Sequence, residues 1–445
     1  MIKYLPLLFL LLYPTVDAQI LSPRDLLNPT AWYDATDPRT MFDATSGGSL
    51  VAIGSGVARL EDKSGNGHHA TQSSAGSRPI RATAPTSGVR NLINHSQNIS
   101  QWSSINSTIV SNVETNPNGN IPADRVTPNA TSSNRVEIDI SDIKVGVSYR
   151  FAVWMKQGSQ YGTNTRVAIT GPGGSPAILD TNVILTSSWV QYIFSSGTGH
   201  GQTGFRFRIY PSNAGFTVGD NIIIGGVQLD EGVTTTAYQH RVTQHEVYEE
   251  GFLNRNYLFF DGSNDFLDAA SLSTMFQGDD TPHSSYVVAR PNIGGVSGVV
   301  WSFGTSSTGN HRGEFRYNQG TSTMLVWRRD TSDLSVLSTG TFRNNVLRPQ
   351  LSSFVFPGTS VDLFLNNNTI GSGALDTGSM GTNPNRFVIG GRGYSSTDLY
   401  YRGDLHGIVI YNSANSSDSR TTISSRLFDY YFRRNKTRQF QNEFN

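Results

Sequence analysis

"ARLEDKSGNGHHATQ" (residues 58–72) holds the chain's densest group of chemically active side chains, among them two adjacent histidines between glycine-rich and polar neighbours. It reads either as a catalytic or metal loop or as a turn between two strands. In extended chain His68 and His69 face opposite ways and cannot chelate one ion together. No carboxylate stands at a ligand spacing on a shared element, and the remaining histidines are scattered singly. Asn66-Gly67, with Gly65 close by, supplies the backbone angles that a tight turn demands. The stretch is therefore expected to be strand, turn, strand, with its histidines flanking the turn.

Working outward, the same alternation of apolar and polar residues between Gly, Asn, Asp and Ser recurs to the end of the chain. "SYRFAVWMK" (148–156), "WVQYIFSS" (189–196), "GFRFRIYP" (204–211), "NIIIGGVQL" (221–229), "YLFFDG" (257–262), "SSYVVARP" (284–291), "GVVWSFG" (298–304), "TMLVWRRD" (323–330), "VDLFLN" (361–366) and "HGIVIYN" (406–412) are strand candidates. The composition agrees: charged residues are only 15%, and glycine contributes 45 of 445 residues, a balance that suits polar turns between strands. One helix is expected near the end, in "SSDSRTTISSRLFDYYF". Ser and Asp offer an N-cap there, and Ile423, Leu427, Phe428 and Tyr431 share a stripe.

Lysine plus arginine equal aspartate plus glutamate at 34 each. Zero net charge argues against nucleic acid and against anionic membrane surfaces; only Arg433, Arg434, Lys436 and Arg438 form a basic tail. Residues 1–18 read as a secretory signal, with Lys3 ahead of the apolar run "LPLLFLLLY" and small residues at the "VDA" cleavage position. No later segment is long and apolar enough to span a bilayer, so the mature chain is expected to be secreted and soluble. Cysteine is absent, which removes thiol catalysis, zinc–cysteine sites and disulfides together. Sequons stand at Asn94, Asn98, Asn106, Asn129, Asn367, Asn415 and Asn435, and their density between 94 and 129 suggests a glycosylated surface in a eukaryotic or viral setting.

Residues 19–89 and 244–432 continue one another in style across a block at 90–243. The flanking pieces "AWYDATDP" (31–38), "ARLEDKSGNGHHATQ", "RPI" (78–80), "YLFFDGSNDFLD" (257–268), "NRFVIGGRG" (385–393) and "YYRGDLHGIVIYNSANSSDSRTTISSRLFDYY" (400–431) resemble the laminin G-like jelly rolls of the concanavalin A-like lectin/glucanase superfamily. The block between them, with its "NL…W" opening, "GVSYRFAVWMKQG" (146–158), "SSWVQYIF" (187–194) and "VQLDEGVTTTAYQ" (227–239), resembles the carbohydrate-binding-module jelly rolls of phage tail and adhesion proteins. The two resemblances imply an all-β protein of two nested β-sandwich jelly rolls with one short C-terminal helix. The divisions would be a signal peptide at 1–18, an outer sandwich at 19–89 and 244–432, an inserted sandwich at 90–243 and a polar basic tail at 433–445. Both families host many functions.

The sharpest catalytic candidate is "EIDISD" (137–142), which is similar to the E-x-D-x-x-E run of laminarinase-type glycosidases. On a regular strand Glu137 and Asp139 share a face, whereas Asp142 needs a bulge to join them. An edge strand carrying solvated acids is the competing reading, and no catalytic residue is assigned. Asp261 and Asp265 in "FDGSNDFLD" offer calcium a pair of oxygens, as do Asp34 and Asp37, against a role in turn stabilisation. Sugars stack on exposed aromatic rings. Tyr394, Tyr400 and Tyr401, in the loop before the last strand, and Trp327 with Arg328 are the candidate carbohydrate-binding residues, while Trp154 and Trp301 are expected in cores. The leading function is a secreted, non-enzymatic glycan-binding or adhesion protein, with glycans or glycoproteins as partners, in a viral or cell-surface setting. The alternatives are an extracellular glycosidase or polysaccharide lyase, and a structural coat protein that binds no sugar.

Overall fold

The computed structural model describes residues 21–433 apart from 23, 117–121, 131, 142, 159–164, 212–217, 292–296, 306–311, 319–322, 330–333, 342–348, 376–379, 382–383 and 394–398; the side chains of 327–329, 334–341 and 433 also lie outside the description. The expected signal segment, Asp142, Tyr394, the side chains of Trp327 and Arg328, Asn435 and the basic tail therefore fall outside the described residues.

The chain is all-β, with one α-helix among the described residues, near the C-terminal end. Among the described residues the strands fall into four sheets, of ten, nine, five and five strands. The opening stretch forms an antiparallel pair, Arg59 opposite Thr71 and Leu60 opposite Ala70. The loop between them turns at Gly65 and Gly67, both at positive φ. Its organiser is the buried carboxylate of Asp62. That group accepts from the backbone N–H groups of Trp32 at 2.9 Å, Ser64 at 2.9 Å and His68 at 3.1 Å, and from the Ser64 hydroxyl at 2.7 Å. One side chain so closes the turn and ties it to the first strand, Ala31–Asp34. His69 accepts the Asp62 N–H through Nδ1, and His68 faces the Ser271 hydroxyl. Both histidines flank the turn, as expected.

In the ten-stranded sheet, Arg402–Tyr411 is central and pairs with Asn254–Asp261, His283–Pro291 and Ala31–Asp34. One face of this sheet packs on the nine-stranded sheet through Leu258, Phe260, Val287, Leu405 and Ile408 against Phe303, Phe315, Phe387 and Ile389. Two bonds cross this core, from the Trp301 indole N–H to the Ser285 hydroxyl at 3.0 Å and between the Tyr317 and Ser352 hydroxyls at 2.9 Å. Both satisfy polar groups that burial would otherwise penalise. The opposite face holds Trp32, Tyr286, Val288, Leu351, Val409 and Tyr411 under the helix Ser417–Phe428. Ser416 caps that helix by accepting the Ser419 N–H, and Ile423, Leu427 and Tyr431 are buried on the expected stripe. Phe428 is only half-buried.

Among the described residues, the strands from Ser103–Ile105 to Ile222–Glu231 pair only among themselves, in the two five-stranded sheets. They enclose a separate core that includes Trp102, Phe151, Val153, Phe205, Phe207 and Leu229. The segments leading into and out of these sheets are clasped by buried amides. Gln239 accepts the N–H of Arg90 at 2.7 Å and of Asn91 at 3.2 Å, and donates to Gly88 O at 2.7 Å and to Glu249 at 2.9 Å. Asn91 donates to Val227 O at 3.0 Å and to Gln239 O at 2.8 Å. His240–Thr243, inside the range expected for the inserted block, instead extends the ten-stranded sheet through Glu246–Tyr248.

Removing the Asp62 carboxylate strips one acceptor from four donors, three of them on the turn and one on the first strand. Asp62→Ala is expected to cost about 2–4 kcal/mol in urea unfolding, and Asp62→Asn to recover part of that loss.

Candidate functional site

Strand period decides what lies beside the helix. Across Asn254–Asp261 and Arg402–Tyr411, Leu258 pairs with Leu405 and both enter the core, so Arg255, Tyr257, Asp404 and His406 fall on the opposite face. Against the neighbouring strand, Ala289 pairs with Leu405 but Val288 pairs with Gly407, leaving His406 as the extra residue of a bulge. Bulges re-aim side chains and bend strands. Beyond this one the parity shifts, and Val409 and Tyr411 take the helix-bearing face. The bulge thus separates an apolar patch under the helix from a polar patch beside it. At Gly407 an added Cβ would lie 2.1 Å from the Tyr431 hydroxyl, so the missing side chain lets the helix end sit close to the sheet.

The polar patch floors a cleft of about 440 Å³, a size that suits a small ligand. Arg255, Tyr257, Arg290, Asp404 and His406 form the floor. Pro85 and Val89 from the segment leading into the inner sheets form one rim, and Phe428 and Phe432 from the helix end form another. Phe428 and Phe432 stack with centroids 4.7 Å apart.

The floor is electrostatically fixed. Arg290 Nε donates to Asp404 Oδ2 at 2.7 Å, with a second guanidinium nitrogen on the same oxygen. Burial raises the Asp404 carboxyl above its usual range, with the Arg290 guanidinium opposing it. Burial weakens the charge on Arg290, but Asp404 and nearby tyrosines outweigh it and hold the guanidinium protonated. Burial, and then the positive charge of Arg255 and Arg290, pushes His406 down to about 3, so its ring is neutral at physiological pH. The Tyr257 ring lies 5.5 Å from the His406 ring, and burial raises its hydroxyl far above the ordinary range. These groups offer fixed donors and aromatic faces. His406 and Tyr257 both stay neutral near pH 7.

The expected carbohydrate residues fare differently. Tyr401 is 1% exposed and part of the main core, its hydroxyl donating to Asp404 O at 3.2 Å. It cannot present a ring to a sugar, because strand parity turns residues 401 and 405 inward while 404 and 406 face the cleft. Tyr400 is half-buried, its ring beside Gly391. Trp301 is in the core as expected, but Trp154 is not: it lies on the outer face of its sheet beside Gly226, half-exposed. Plain alternation accounts for this: Phe151, Val153 and Met155 enter the core and Trp154, between them, takes the other face, while the register slip leaves Gly226 of the neighbouring strand as the extra residue.

In "EIDISD", Glu137 lies between Arg208 at 2.9 Å and Arg135 at 2.8 Å, and Asp139 is held by Arg206. Burial works to raise the Glu137 carboxyl, but hydrogen bonds and charge from Arg135 and Arg208 leave it below its ordinary value. Hydrogen bonding to Arg206 lowers Asp139, against burial. Neither is a proton donor at neutral pH; both serve a ladder of cross-strand ion pairs with Phe205–Tyr210.

For calcium, no group of three His, Asp or Glu side chains is placed to hold a metal among the described residues. Asp34 is taken by Lys63 at 2.8 Å, Thr36 and the Tyr430 hydroxyl. Asp37 is taken by Lys63 and Arg39. Asp261 accepts the N–H of Ser263 at 2.7 Å, and buried Asp265 accepts the N–H of Asp261 at 2.9 Å. The pair shapes its turn. Burial raises Asp265 to about 7, the Asp261 N–H opposing and the Asp261 charge adding to the rise.

No protein-family profile matches the sequence, and no curated protein matches it. Among solved structures, a Ruminococcus gnavus IT-sialidase CBM40 bound to alpha2,3 sialyllactose aligns at a TM-score of 0.30 and 14% identity, over 35% of this chain and 85% of that one. The NanB sialidase from Streptococcus pneumoniae aligns at 0.32 and 14%, over 37% of this chain and 27% of that one. A heptameric SAP-like pentraxin from Limulus polyphemus aligns at 0.29 and 13%, over 37% and 80%.

The Asp265 shift sets a pH dependence. The folded carboxyl keeps its proton up to about 7, whereas an unfolded Asp releases it near 3.9. Stability is therefore expected to fall as pH rises from about 4 to about 7 and to stay low above that. Asp265→Asn should raise Tm at pH 8 and flatten the Tm-against-pH curve across that window, measured by differential scanning fluorimetry.

Proposed function

We propose that the protein is an exported glycan-binding adhesion component that takes a saccharide unit in the cleft beside its C-terminal helix. In this reading a laminin G-like sandwich (19–89 and 244–432) carries an inserted carbohydrate-module-like sandwich (90–243), and the particle or cell surface is its place of action. The observation that carries it is the cleft itself, with fixed polar groups below and aromatic and apolar rims above. Sugars need both, since hydroxyls demand placed hydrogen-bond partners and the apolar ring face demands a flat hydrophobic partner. The reading favours binding over hydrolysis, because Asp404 is locked by Arg290 and His406 is held neutral. Glycosidases instead hold two carboxyls across a bond with their affinities for protons pushed apart.

A glycan array probed with the full mature chain tests the reading. Binding is expected, and Phe432→Ala, which removes one rim ring without touching the floor, should weaken it about tenfold; because Phe432 also packs against the helix-side core, circular dichroism checks that the variant remains folded. Product release from a polysaccharide panel would replace this function with the enzymatic one. Silence on both assays would leave a structural coat protein.

The sequons divide by exposure, and we propose that this governs their use. Asn98, Asn106 and Asn129 are exposed, whereas Asn94, Asn367 and Asn415 are half-buried. Asn94 accepts from Arg241 Nε at 2.8 Å, and Asn415 donates to the Tyr286 hydroxyl at 3.1 Å. Glycopeptide mapping after expression in a eukaryotic cell is expected to find glycan at the exposed three and little at Asn94 or Asn415.

A further inference from the structure

The outer faces of the two five-stranded sheets differ. One carries the ladder of ion pairs that holds Glu137 and Asp139 between arginines. The other, which contains Tyr149–Gln157 and Ile222–Glu231, carries tryptophan. Trp154 and Lys156 point away from the core by strand alternation. Trp189 joins them, its ring centroid 5.4 Å from the Lys156 ammonium. The register slip sets Gly225 opposite Trp154 and leaves Gly226 over. Two consecutive residues without side chains thus open a gap in this face, and three rings gather around it. A Cβ added at Gly225 would lie 3.4 Å from Trp189, and one at Gly226 would lie 3.7 Å from Trp154 and 3.5 Å from Tyr238. Tyr238 is fixed through its hydroxyl, 2.9 Å from that of Ser96. Both indoles are half-buried, so each rests on the sheet while keeping part of its surface open to water. Large apolar rings grouped in this way mark a binding surface.

The polar groups beside the rings identify the ligand. Lys156 bonds Glu114 at 2.6 Å, and Gln191, opposite Trp154, is exposed. Trp154 Nε1, a donor, and Glu114 Oε1, an acceptor, have no hydrogen-bond partner among the described residues. Shielded polar atoms of this kind cost free energy until a partner meets them. A purely apolar partner would cover both atoms unmatched. A sugar matches both demands, because its hydroxyls donate and accept while its apolar ring face fits an indole. We propose that this face is a second saccharide site, separate from the cleft beside the helix. A glycan chain lies across it with sugar rings on Trp154 and Trp189 and hydroxyls turned to the Trp154 indole N–H and the Glu114–Lys156 pair. The site is built on a different core from the cleft, so it stands or falls independently of the cleft reading.

Hydroxyl-radical footprinting of the full mature chain, read by mass spectrometry, tests the proposal. The probes are cellohexaose, mannohexaose, xylohexaose and a chondroitin sulfate hexasaccharide. At least one is expected to protect Trp154 and Trp189 from oxidation, and that protection should persist in Phe432→Ala, which alters only the cleft rim. Trp154→Ala and Trp189→Ala should each weaken binding of that probe about tenfold by isothermal titration calorimetry, whereas Trp154→Phe should keep most of it. The footprint of the unmodified chain needs no variant, so a poorly folding one does not blunt the test. Protection confined to the cleft residues overturns the second site and leaves the cleft reading standing. Absence of protection at both tryptophans with every probe likewise overturns it. Protection that rises with protein concentration in the absence of saccharide, together with a dimer in sedimentation, overturns it in favour of a contact between copies of this chain.

Discussion

One extra residue in the strand Arg402–Tyr411 organises this molecule. Between Leu405 and Gly407 the register against His283–Pro291 slips by one, and His406 is left over. On either side of that slip the strand still sends apolar residues into the main core, Leu405 before it and Ile408 after it. On the other face the consequence is a division of labour. Val409 and Tyr411 receive the helix, while Asp404 and His406 lie beyond its end and open the cleft. A regular strand would have continued a single stripe, and the helix would have had no polar floor next to it.

The remaining constraints hold this arrangement in place. Tyr431 reaches over Gly407 to Asp34, which Lys63 also binds, so the helix end is anchored to the first strand. Lys63 belongs to the turn that Asp62 closes, and its ammonium also lies 4.4 Å from the Trp32 ring. The turn, the first strand and the helix therefore form one connected network behind the cleft. On the cleft's other flank, Gln239 and Asn91 bind the two segments that lead to the inner sheets. These interactions are buried and mutually satisfied, which makes each costly to break.

Much of this was legible in the sequence. Asn66-Gly67 announced a turn whose histidines are not ligands, and the terminal helix declared a Ser or Asp cap and a stripe of Ile423, Leu427, Phe428 and Tyr431, of which Phe428 stays half-buried. The site was read less well. Attention to exposed-looking tyrosines led to Tyr401, which is buried, while Asp404 and His406 stand three and five residues further along the same segment. Their signal was present: "GDLHGIVIY" places two polar side chains at alternate positions in an otherwise apolar strand. Trp154 was assigned to a core for the same reason that Tyr401 was given to the surface, since in each case the face was guessed without knowledge of the strand's register.

The amino-acid sequence by itself determined the class of fold, the turn chemistry, the position and polarity of the helix, and the absence of thiol chemistry. These follow from local periodicity and from the conformational preferences of a few residue types. Only the tertiary structure decided which face each strand presents, that Arg290 from one strand meets Asp404 from another, and that His406 is neutral beside them. Those outcomes depend on register, on one bulge and on burial, which arise from contacts between segments more than a hundred residues apart.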